Sequence, residues 1–437
     1  MNIVCLVLDR LHWGYLGCYG NTWVATPAFD RLAAEGFVFA QALAESTELA
    51  ATYHSLWGGA HLLERAAATS ARRTPLPELA RGAGLRSLLI TDEPAVAEHE
   101  LGAAFDETAE LEPAADDATP PAAAVEATHT AKLFAAAIER LTADSGPTFL
   151  WLHARALGGP WDAPTEFRNK FAEEDDPTPP DFTAVPKREL ASSADLDERF
   201  GIAQAYAGQI SLVDLCVGGL LEHLEEIGKL DDTAVVLLSP RGVALGEHGF
   251  VGPFDDRLHG ELVQVPLIVR LPAGRGKLRR SQALVQPSDL YHALADLVGE
   301  QALGARRQAL GQTEDANTSW ARSLLPLIDD PTAVWRDRSL VVAAPPSAEI
   351  GFRTAAWFLR ARAASPDADD EPELRDGPEL RDELYVKPDD AWEATDVADR
   401  AGDVVDLLRA ASADLRGALA AGKTPAPLAD ELGPGRG

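Results

Sequence analysis

A short apolar run at the start of the chain constrains the fold more than any other feature. Residues 2–8 read NIVCLVL, a nearly continuous apolar segment of strand length. Such runs are typical of strands that are buried on both faces of a parallel sheet. The run is followed by Asp9 and Arg10. The predicted strand therefore carries a carboxylate and a guanidinium to its carboxyl end, where open α/β sheets place their ligands.

Similar segments alternate with helical periodicity as far as about residue 330. Apolar runs predict further strands at residues 87–91, 148–152, 233–238 and 265–270. Apolar faces at helical spacing predict helices at residues 131–143 and 202–227. A third helix is expected to be capped by Ser288 and Asp289 and to run to residue 297. This alternation predicts an α/β fold with a doubly wound, mostly parallel sheet flanked by helices.

The pattern changes after about residue 335. Three strand-like runs, at residues 338–344, 354–360 and 383–386, precede a helical stretch at 399–421. They predict a small C-terminal antiparallel sheet plus helix, so we expect two domains, residues 1–334 and 335–437. Two stretches rich in proline and acidic residues, 110–124 and 173–180, are interpreted as surface loops.

Composition excludes several classes of partner. Of the 437 residues, 46% are hydrophobic and 25% charged, which is ordinary for a globular protein. The formal net charge of −30 argues against nucleic acid and anionic lipid. No apolar run reaches the length of a membrane span, and only Met1 and Asn2 precede the uninterrupted apolar part of the first strand, so we expect neither a membrane partner nor a signal peptide. Three cysteines without metal-ligand spacing fit a reducing compartment, and a cytoplasmic location is expected.

Several segments resemble one enzyme family. Residues 11–20 read LHWGYLGCYG, residues 26–36 read TPAFDRLAAEG, and residues 383–398 read ELYVKPDDAWEATDVA. These segments resemble the opening and the close of sulfatases, in the alkaline-phosphatase superfamily. The resemblance runs from the first strand to the last helix, with gaps at the two loops. It implies a large α/β domain, a small antiparallel sheet and a metal-dependent ester hydrolase site.

The positions that hold the cation in that family are changed here. The resemblance implies a second aspartate after Asp9, where this chain has Arg10. It implies two more ligands in a frame that reads SPRGVALGEH at residues 239–248, where Pro240 and Arg241 stand instead. Only Asp9 remains of four expected ligands. Hard cations need several oxygen ligands, so we expect no calcium or magnesium cofactor.

The other catalytic positions implied by the resemblance are also replaced. Counting back from the helix that contains SLWGG at residues 55–59 puts Leu49 at the nucleophile and Tyr53 at the arginine. Gly158 stands at the histidine and Pro253 at the lysine. The resemblance implies a nucleophile made by converting a cysteine or serine to formylglycine, and leucine cannot be converted in this way. These changes predict a catalytically degenerate member of the family.

Two threonines keep a second interpretation open. Some relatives use a threonine nucleophile, and Thr47 or Thr52 could serve if the loop were remodelled. Polar residues near a helix start are, however, ordinary without catalysis.

The arginines suggest what replaces the cation. Losing a divalent ion beside a buried carboxylate would leave an unpaired charge, and a guanidinium from Arg10 or Arg241 could neutralise Asp9 instead. The alternative is that both arginines point to solvent, since adjacent side chains on an extended segment diverge. The candidate cleft residues are Asp9, Arg10, Thr52, Tyr53, His153, Arg241 and His248. Four histidines lack a shared metal-binding motif and are interpreted as structural: His12, His153, His248 and His259.

Three functions are consistent with this sequence. The leading hypothesis is a catalytically inactive sulfatase-like protein that binds an unknown anionic ligand, held by Arg10 and Arg241, or a protein partner at the former cleft. The alternative is an active hydrolase of sulfate or phosphate esters with a displaced threonine and a rebuilt calcium or magnesium site. A third is a subunit that partners an active sulfatase.

Overall fold

An eight-stranded sheet forms the centre of the molecule. The computed structural model describes residues 1–64, 73–112, 120–143, 146–191, 196–302, 320–362 and 381–433. The strands of the large sheet are β1 (Asn2–Leu8), β2 (Phe37–Leu43), β3 (Arg86–Thr91), β4 (Glu107–Glu110), β5 (Thr148–Ala154), β7 (Thr233–Leu238), β10 (Gln264–Arg270) and β11 (Arg279–Val285). A separate three-stranded sheet contains β6 (Arg188–Glu189), β8 (Ala244–Leu245) and β9 (Phe250–Gly252).

The order of the strands brings three strand ends together. The large sheet runs β11-β2-β10-β7-β1-β5-β3-β4. Strand β1 lies between β7 and β5 and is parallel to both. Strand β10 is antiparallel to its neighbours β7 and β2, so the sheet is mixed but mostly parallel, as the sequence predicts.

Both faces of the central strand are buried. Side chains alternate across a strand, and in β1 the residues Val4, Leu6 and Leu8 join one hydrophobic cluster while Ile3, Cys5 and Val7 join another. Helices cover each face, which explains why the run reads as continuously apolar rather than alternating. The helices are α1 (Pro27–Glu35), α2 (Leu49–Gly58), α3 (Leu76–Gly82), α4 (Pro94–Ala97), α5 (His129–Ala143), α6 (Thr165–Asn169), α7 (Leu196–Glu226), α8 (Gly260–Val263), α9 (Pro287–Ala302), α10 (Leu325–Asp329) and α11 (Gly402–Ala420).

A second antiparallel sheet lies near the end of the chain. Its strands, in the order β12-β13-β14-β15, are β12 (Arg338–Val342), β13 (Glu349–Thr354), β14 (Trp357–Arg362) and β15 (Glu383–Val386). Side chains of this sheet and of α11 share one hydrophobic cluster, which includes Phe352, Leu359, Leu408 and Leu415. The predicted C-terminal antiparallel sheet and helix are therefore confirmed.

Several elements differ from the sequence-based expectation. Strands β4 and β11 were not predicted because they are the two edges of the large sheet and carry exposed polar side chains instead of an apolar run. Strands β2 and β13 were also missed. The run predicted as one strand at 354–360 is divided, since β13 ends at Thr354 and β14 begins at Trp357. Of the loop predicted at 110–124, residues 113–119 lie outside the described part.

The cap predicted for the third helix is also displaced. Helix α9 begins at Pro287, one residue before the expected cap. The Ser288 hydroxyl is buried and has no hydrogen-bond partner among the described residues. Asp289 Oδ2 instead accepts a hydrogen bond from the main-chain N–H of Gln286, at 2.8 Å, and so satisfies a donor at the helix start.

Helix α7 is the one described helix that is long and apolar enough to cross a membrane, by length and composition only. It has 31 residues and contains no uninterrupted apolar run of that length, so the sequence did not predict it as a candidate. However, 78% of its most apolar window is buried inside the protein, so packing in the core accounts for its composition.

Candidate functional site

Three neighbouring strands deliver the predicted site residues to one edge of the sheet. Asp9 follows β1, Arg241 lies just beyond β7, and His153 lies near the end of β5. These strands are adjacent and parallel, so their carboxyl ends meet. The main chain ties them together there, because Asp9 N donates to Ala154 O at 2.9 Å and Arg10 N donates to Arg241 O at 3.1 Å.

Arg241 is the partner of Asp9. Its Nε lies 3.1 Å from Asp9 Oδ1 and its Nη2 lies 2.9 Å from Asp9 Oδ2, so the guanidinium donates to both carboxylate oxygens. The side chains of Asp9 and Arg241 are only 4% and 13% exposed. The Arg10 side chain is only 2% exposed. The alternative in which Arg10 and Arg241 both point to solvent is therefore wrong.

Arg10 is buried beside this pair but binds a different carboxylate. Its Nε is 4.0 Å from Asp9 Oδ1, whereas Nη2 donates to Asp255 Oδ1 and Nη1 donates to Gly242 O at 2.9 Å. Arg241 also reaches Asp255, with Nη1 3.3 Å from Oδ2. Asp9, Arg10, Arg241 and Asp255, named here the edge cluster, thus form a network of two carboxylates and two guanidiniums whose formal charges cancel.

The pKa values at this edge follow from burial and pairing. Burial alone would raise the pKa of Asp9, but the charges of Arg241 and Arg10 outweigh it and lower that pKa to about 2. Burial and the charge of Arg241 lower the pKa of Arg10, while Asp9 raises the pKa of Arg241 against the effect of burial. Asp9 is therefore ionised at neutral pH.

Gly158 leaves the space that Arg10 occupies. A Cβ atom on Gly158 would lie 2.9 Å from Arg10 Cγ and 3.5 Å from Asp9 Oδ2. The first distance is shorter than real contacts allow, and Arg10 is held at its far end by Asp255 and Gly242. A histidine at this position is therefore incompatible with the observed side chain of Arg10.

Tyr53 takes part in a neutral hydrogen-bond chain. Trp151 Nε1 donates to Tyr53 Oη at 3.2 Å, and Tyr53 Oη lies 2.6 Å from His153 Nδ1. If Tyr53 donates its own proton to Nδ1, His153 carries its hydrogen on Nε2, which is buried and has no hydrogen-bond partner among the described residues. Burial lowers the pKa of His153 to about 4, so the imidazole is neutral at neutral pH. No positive charge stands where the resemblance implies an arginine.

Neither of the two candidate threonines near the start of α2 presents a free hydroxyl to the edge cluster. Leu49 is its first residue and is buried. The hydroxyl of Thr52 is fully buried and lies 3.1 Å from both Ser46 O and Glu48 O, within its own turn. The hydroxyl of Thr47 donates to Asp255 O and accepts from Ala344 N at 2.9 Å. Both hydroxyls are committed to main-chain partners.

His248 does not join the edge cluster. It lies in a second charged group, named here the bridging cluster, that links residues 248–261 to strand β14 and to the segment after β15. Its members are His248, His259, Glu261, Arg360, Lys387 and Glu393. His248 Nδ1 is 2.8 Å from Glu261 Oε1, and its Nε2 is 3.2 Å from Glu393 O. Burial would lower the pKa of His248, but Glu261 raises it to about 9.

Three members of the bridging cluster have the geometry of a metal site. Ligand atoms of His248, His259 and Glu393 lie within 4.8 Å of one another. However, Arg360 Nη1 is 2.7 Å from His259 Nε2, and Lys387 Nζ is 3.1 Å from Glu393 Oε1. Two cationic side chains already hold these ligands, and their charges would oppose a bound cation. The group is therefore better described as an ion-pair network.

The sequence does not predict two features of the site, Asp255 and the stacking of two histidines. Asp255 belongs to no recognised motif and lies two residues after Pro253, where the resemblance implies a lysine. The ring of His259 stacks on His248 with centroids 3.9 Å apart, although no local motif joins them. The only signal for Asp255 in the sequence was charge balance, because two buried arginines require more than one carboxylate.

The fold and this edge define an α/β protein that places its polar site at the carboxyl ends of parallel strands. The sequence model of the family described as Sulfatase matches residues 1–300. The chain therefore belongs to the sulfatase family, in the alkaline-phosphatase superfamily.

Individual relatives are similar over shorter or more diverged stretches. N-acetylglucosamine-6-O-sulfatase of Bacteroides thetaiotaomicron is 37% identical over 95 residues, 22% of this chain and 16% of that protein. Human iduronate 2-sulfatase is 25% identical over 214 residues, 38% of each chain. The solved structure of a phosphonate monoester hydrolase of Agrobacterium radiobacter has a TM-score of 0.72 at 18% identity and covers 96% of this chain and 95% of its own. These matches span well under half of the two curated relatives, and the structural likeness shows the fold alone.

Proposed function

We propose that this protein is a non-hydrolytic member of the sulfatase family in which internal guanidinium groups have replaced the cation. The observation that carries the proposal is the double hydrogen bond from Arg241 to Asp9, the one carboxylate left at a family ligand position. A buried carboxylate needs a partner charge, and Arg241 supplies it.

A divalent cation would have little to bind here. Both oxygens of Asp9 already accept from Arg241, and the two oxygens of Asp255 accept from Arg10 and Arg241. A cation placed among them would also face two guanidiniums in a site with low exposure to water, where repulsion is weakly screened. The donor set at this edge thus favours ion pairs over calcium or magnesium.

The hydrolase alternative has one point in its favour. The curated relatives and the matched structure are named as sulfatases and as a phosphonate monoester hydrolase. For this chain to do so, Thr47 or Thr52 would have to leave its main-chain partners, and Arg241 would have to release Asp9.

What the former cleft binds is part of the proposal. Either an anionic ligand or a protein partner fits a site that has lost its chemistry. Asp255 is its most exposed member, with 35% of the side chain exposed, so any ligand would meet this carboxylate first.

Metal titration and ester hydrolysis test the proposal together. Calorimetric titration with calcium and with magnesium should show no binding tighter than the millimolar range, about 4 kcal/mol. Hydrolysis of 4-nitrophenyl sulfate should not exceed the blank, even when a formylglycine maturase is co-expressed. Leu49→Cys should not restore it, because Arg241 would still occupy Asp9. A stoichiometric micromolar calcium site, or turnover that Thr47→Ala or Thr52→Ala abolishes, would establish the hydrolase instead.

A further inference from the structure

The carboxylate of Asp255 is held as a bound anion would be. One oxygen accepts from Arg10 and the other lies 3.3 Å from Arg241 Nη1, so two guanidiniums from different strand ends converge on one carboxylate. Paired acceptor oxygens facing guanidinium groups are the arrangement in which arginine binds carboxylates, sulfates and phosphates.

Exposure separates this carboxylate from the groups that hold it. The side chain of Asp255 is 35% exposed, whereas those of Arg10 and Arg241 are 2% and 13% exposed. The carboxylate therefore lies between the buried guanidiniums and solvent. A ligand that approached the arginines from outside would have to take its place.

The main chain of Asp255 is anchored independently of its side chain. Its carbonyl oxygen accepts from the hydroxyl of Thr47 and from the amide of Ala344, the latter at 2.9 Å. These bonds link the segment between β9 and α8 to the residues just before α2 and to the residues just after β12. A rotation of the Asp255 side chain away from the arginines would leave them intact.

The charges show what such a rotation would create. Asp9 is already neutralised by Arg241, so removing the Asp255 carboxylate leaves the edge cluster with one excess positive charge. In a buried setting that charge attracts an anion strongly. A tetrahedral oxyanion presents the same two-oxygen edge as a carboxylate and matches the two guanidiniums.

We propose that Arg10 and Arg241 form a binding site for sulfate or phosphate groups, which Asp255 occupies as an internal anion until a ligand displaces it. This inference rests on the proposed function, since it requires that no cation holds Asp9. The ligand class is a tetrahedral oxyanion, either free or as a monoester.

Replacing Asp255 with a neutral residue tests the proposal. Inorganic sulfate, inorganic phosphate and 4-nitrophenyl sulfate are titrated separately by calorimetry, at ionic strength matched with chloride. Asp255→Asn should bind sulfate at least tenfold more tightly than the wild type. Asp256→Asn is the matched control, because it removes the same charge from the adjacent, exposed residue. Tighter binding of the aryl ester than of inorganic sulfate would identify a monoester as the ligand, and the reverse order a free anion.

A second pair of variants makes the outcome decisive. Arg10→Gln combined with Asp255→Asn restores a neutral cluster and should return the affinity to that of the wild type or below. If circular dichroism shows that Asp255→Asn is unfolded, Asp255→Ser takes its place, and the wild type must then show saturable millimolar sulfate binding.

Equal affinities in the Asp255 and Asp256 variants, or no saturable binding in any folded form, would overturn the inference. That result would leave the non-hydrolytic proposal intact, because it depends on calcium binding and turnover, which are measured separately.

Discussion

The edge cluster and the bridging cluster are both buried charge networks, but they differ in composition and in what they connect. The edge cluster contains only carboxylates and guanidiniums and joins two strand ends of the large sheet to the segment between β9 and α8. The bridging cluster contains histidines and joins the segment after β8 to β14 and to Glu393. Only the second retains the Gly-Glu-His part of the family frame, at residues 246–248.

This difference indicates what that part of the frame does in this chain. His248 contacts Glu261 and the main chain of Glu393, and Glu393 in turn accepts from the amide of Gly260 at 2.8 Å. These bonds fasten the segment after β15 to residues 248–261 and need no substrate. Residues 246–248 therefore have a structural role in this chain.

The largest expected effect is the loss of unfolding free energy when the buried ion pair of the edge cluster is broken, which should exceed the loss for an exposed pair. Arg241→Ala should lower the free energy of unfolding by about 3–5 kcal/mol, because it leaves Asp9 buried and unpaired. Asp9→Asn in the same chain should partly restore stability, since it removes that charge. Urea unfolding of both single variants and the double variant measures the coupling.

A matched arginine controls for the loss of a guanidinium. Arg188 pairs with Glu198 at the surface, where the side chains are 52% and 41% exposed. Arg188→Ala should cost at most about 1 kcal/mol for the lost pair. Additive effects of Arg241→Ala and Asp9→Asn would contradict the replacement of the cation by Arg241.

A smaller effect is expected where the edge cluster depends on a glycine. Gly158→Ala should cost about 1–3 kcal/mol, because its Cβ would lie 2.9 Å from Arg10 Cγ. Arg10→Ala removes that Cγ atom, so the penalty of Gly158→Ala should shrink in an Arg10→Ala background. Gly159→Ala is the control, since its Cβ would meet nothing nearer than 3.3 Å. Equal penalties in both backgrounds would show that Arg10 does not require Gly158.

The sequence predicts the part of the edge cluster that lies at strand ends better than the rest of either network. Asp9 and Arg241 follow long apolar strands, so parallel pairing alone places them at one edge. Asp255 lies in an irregular segment whose position depends on tertiary contacts, such as those to Thr47 and Ala344, which no local pattern reports. The same holds for His259, which reaches His248 only because β14 and the segment after β15 pack against it.

The smallest effect uses pH to distinguish the two clusters. Glu261 raises the pKa of His248 from 6.5 to about 9, so its protonation stabilises the fold fully below pH 6.5, and this contribution is lost as pH rises through about 9. The pKa of Asp9 is lowered from 3.8 to about 2, so its contribution is present above pH 3.8 and is lost only as pH falls toward 2. Between neutral pH and pH 9, only the bridging cluster should weaken.

Comparison with His248→Gln isolates that contribution. The difference in unfolding free energy between the wild type and His248→Gln should shrink from about pH 6 to about pH 9, by on the order of 1 kcal/mol after solvent screening. Urea unfolding of the wild type and of His248→Gln at several pH values measures that difference. A difference for His248→Gln that stays constant across this range would mean that His248 is not charged in the folded protein, and that the bridging cluster holds the C-terminal segment by neutral hydrogen bonds instead.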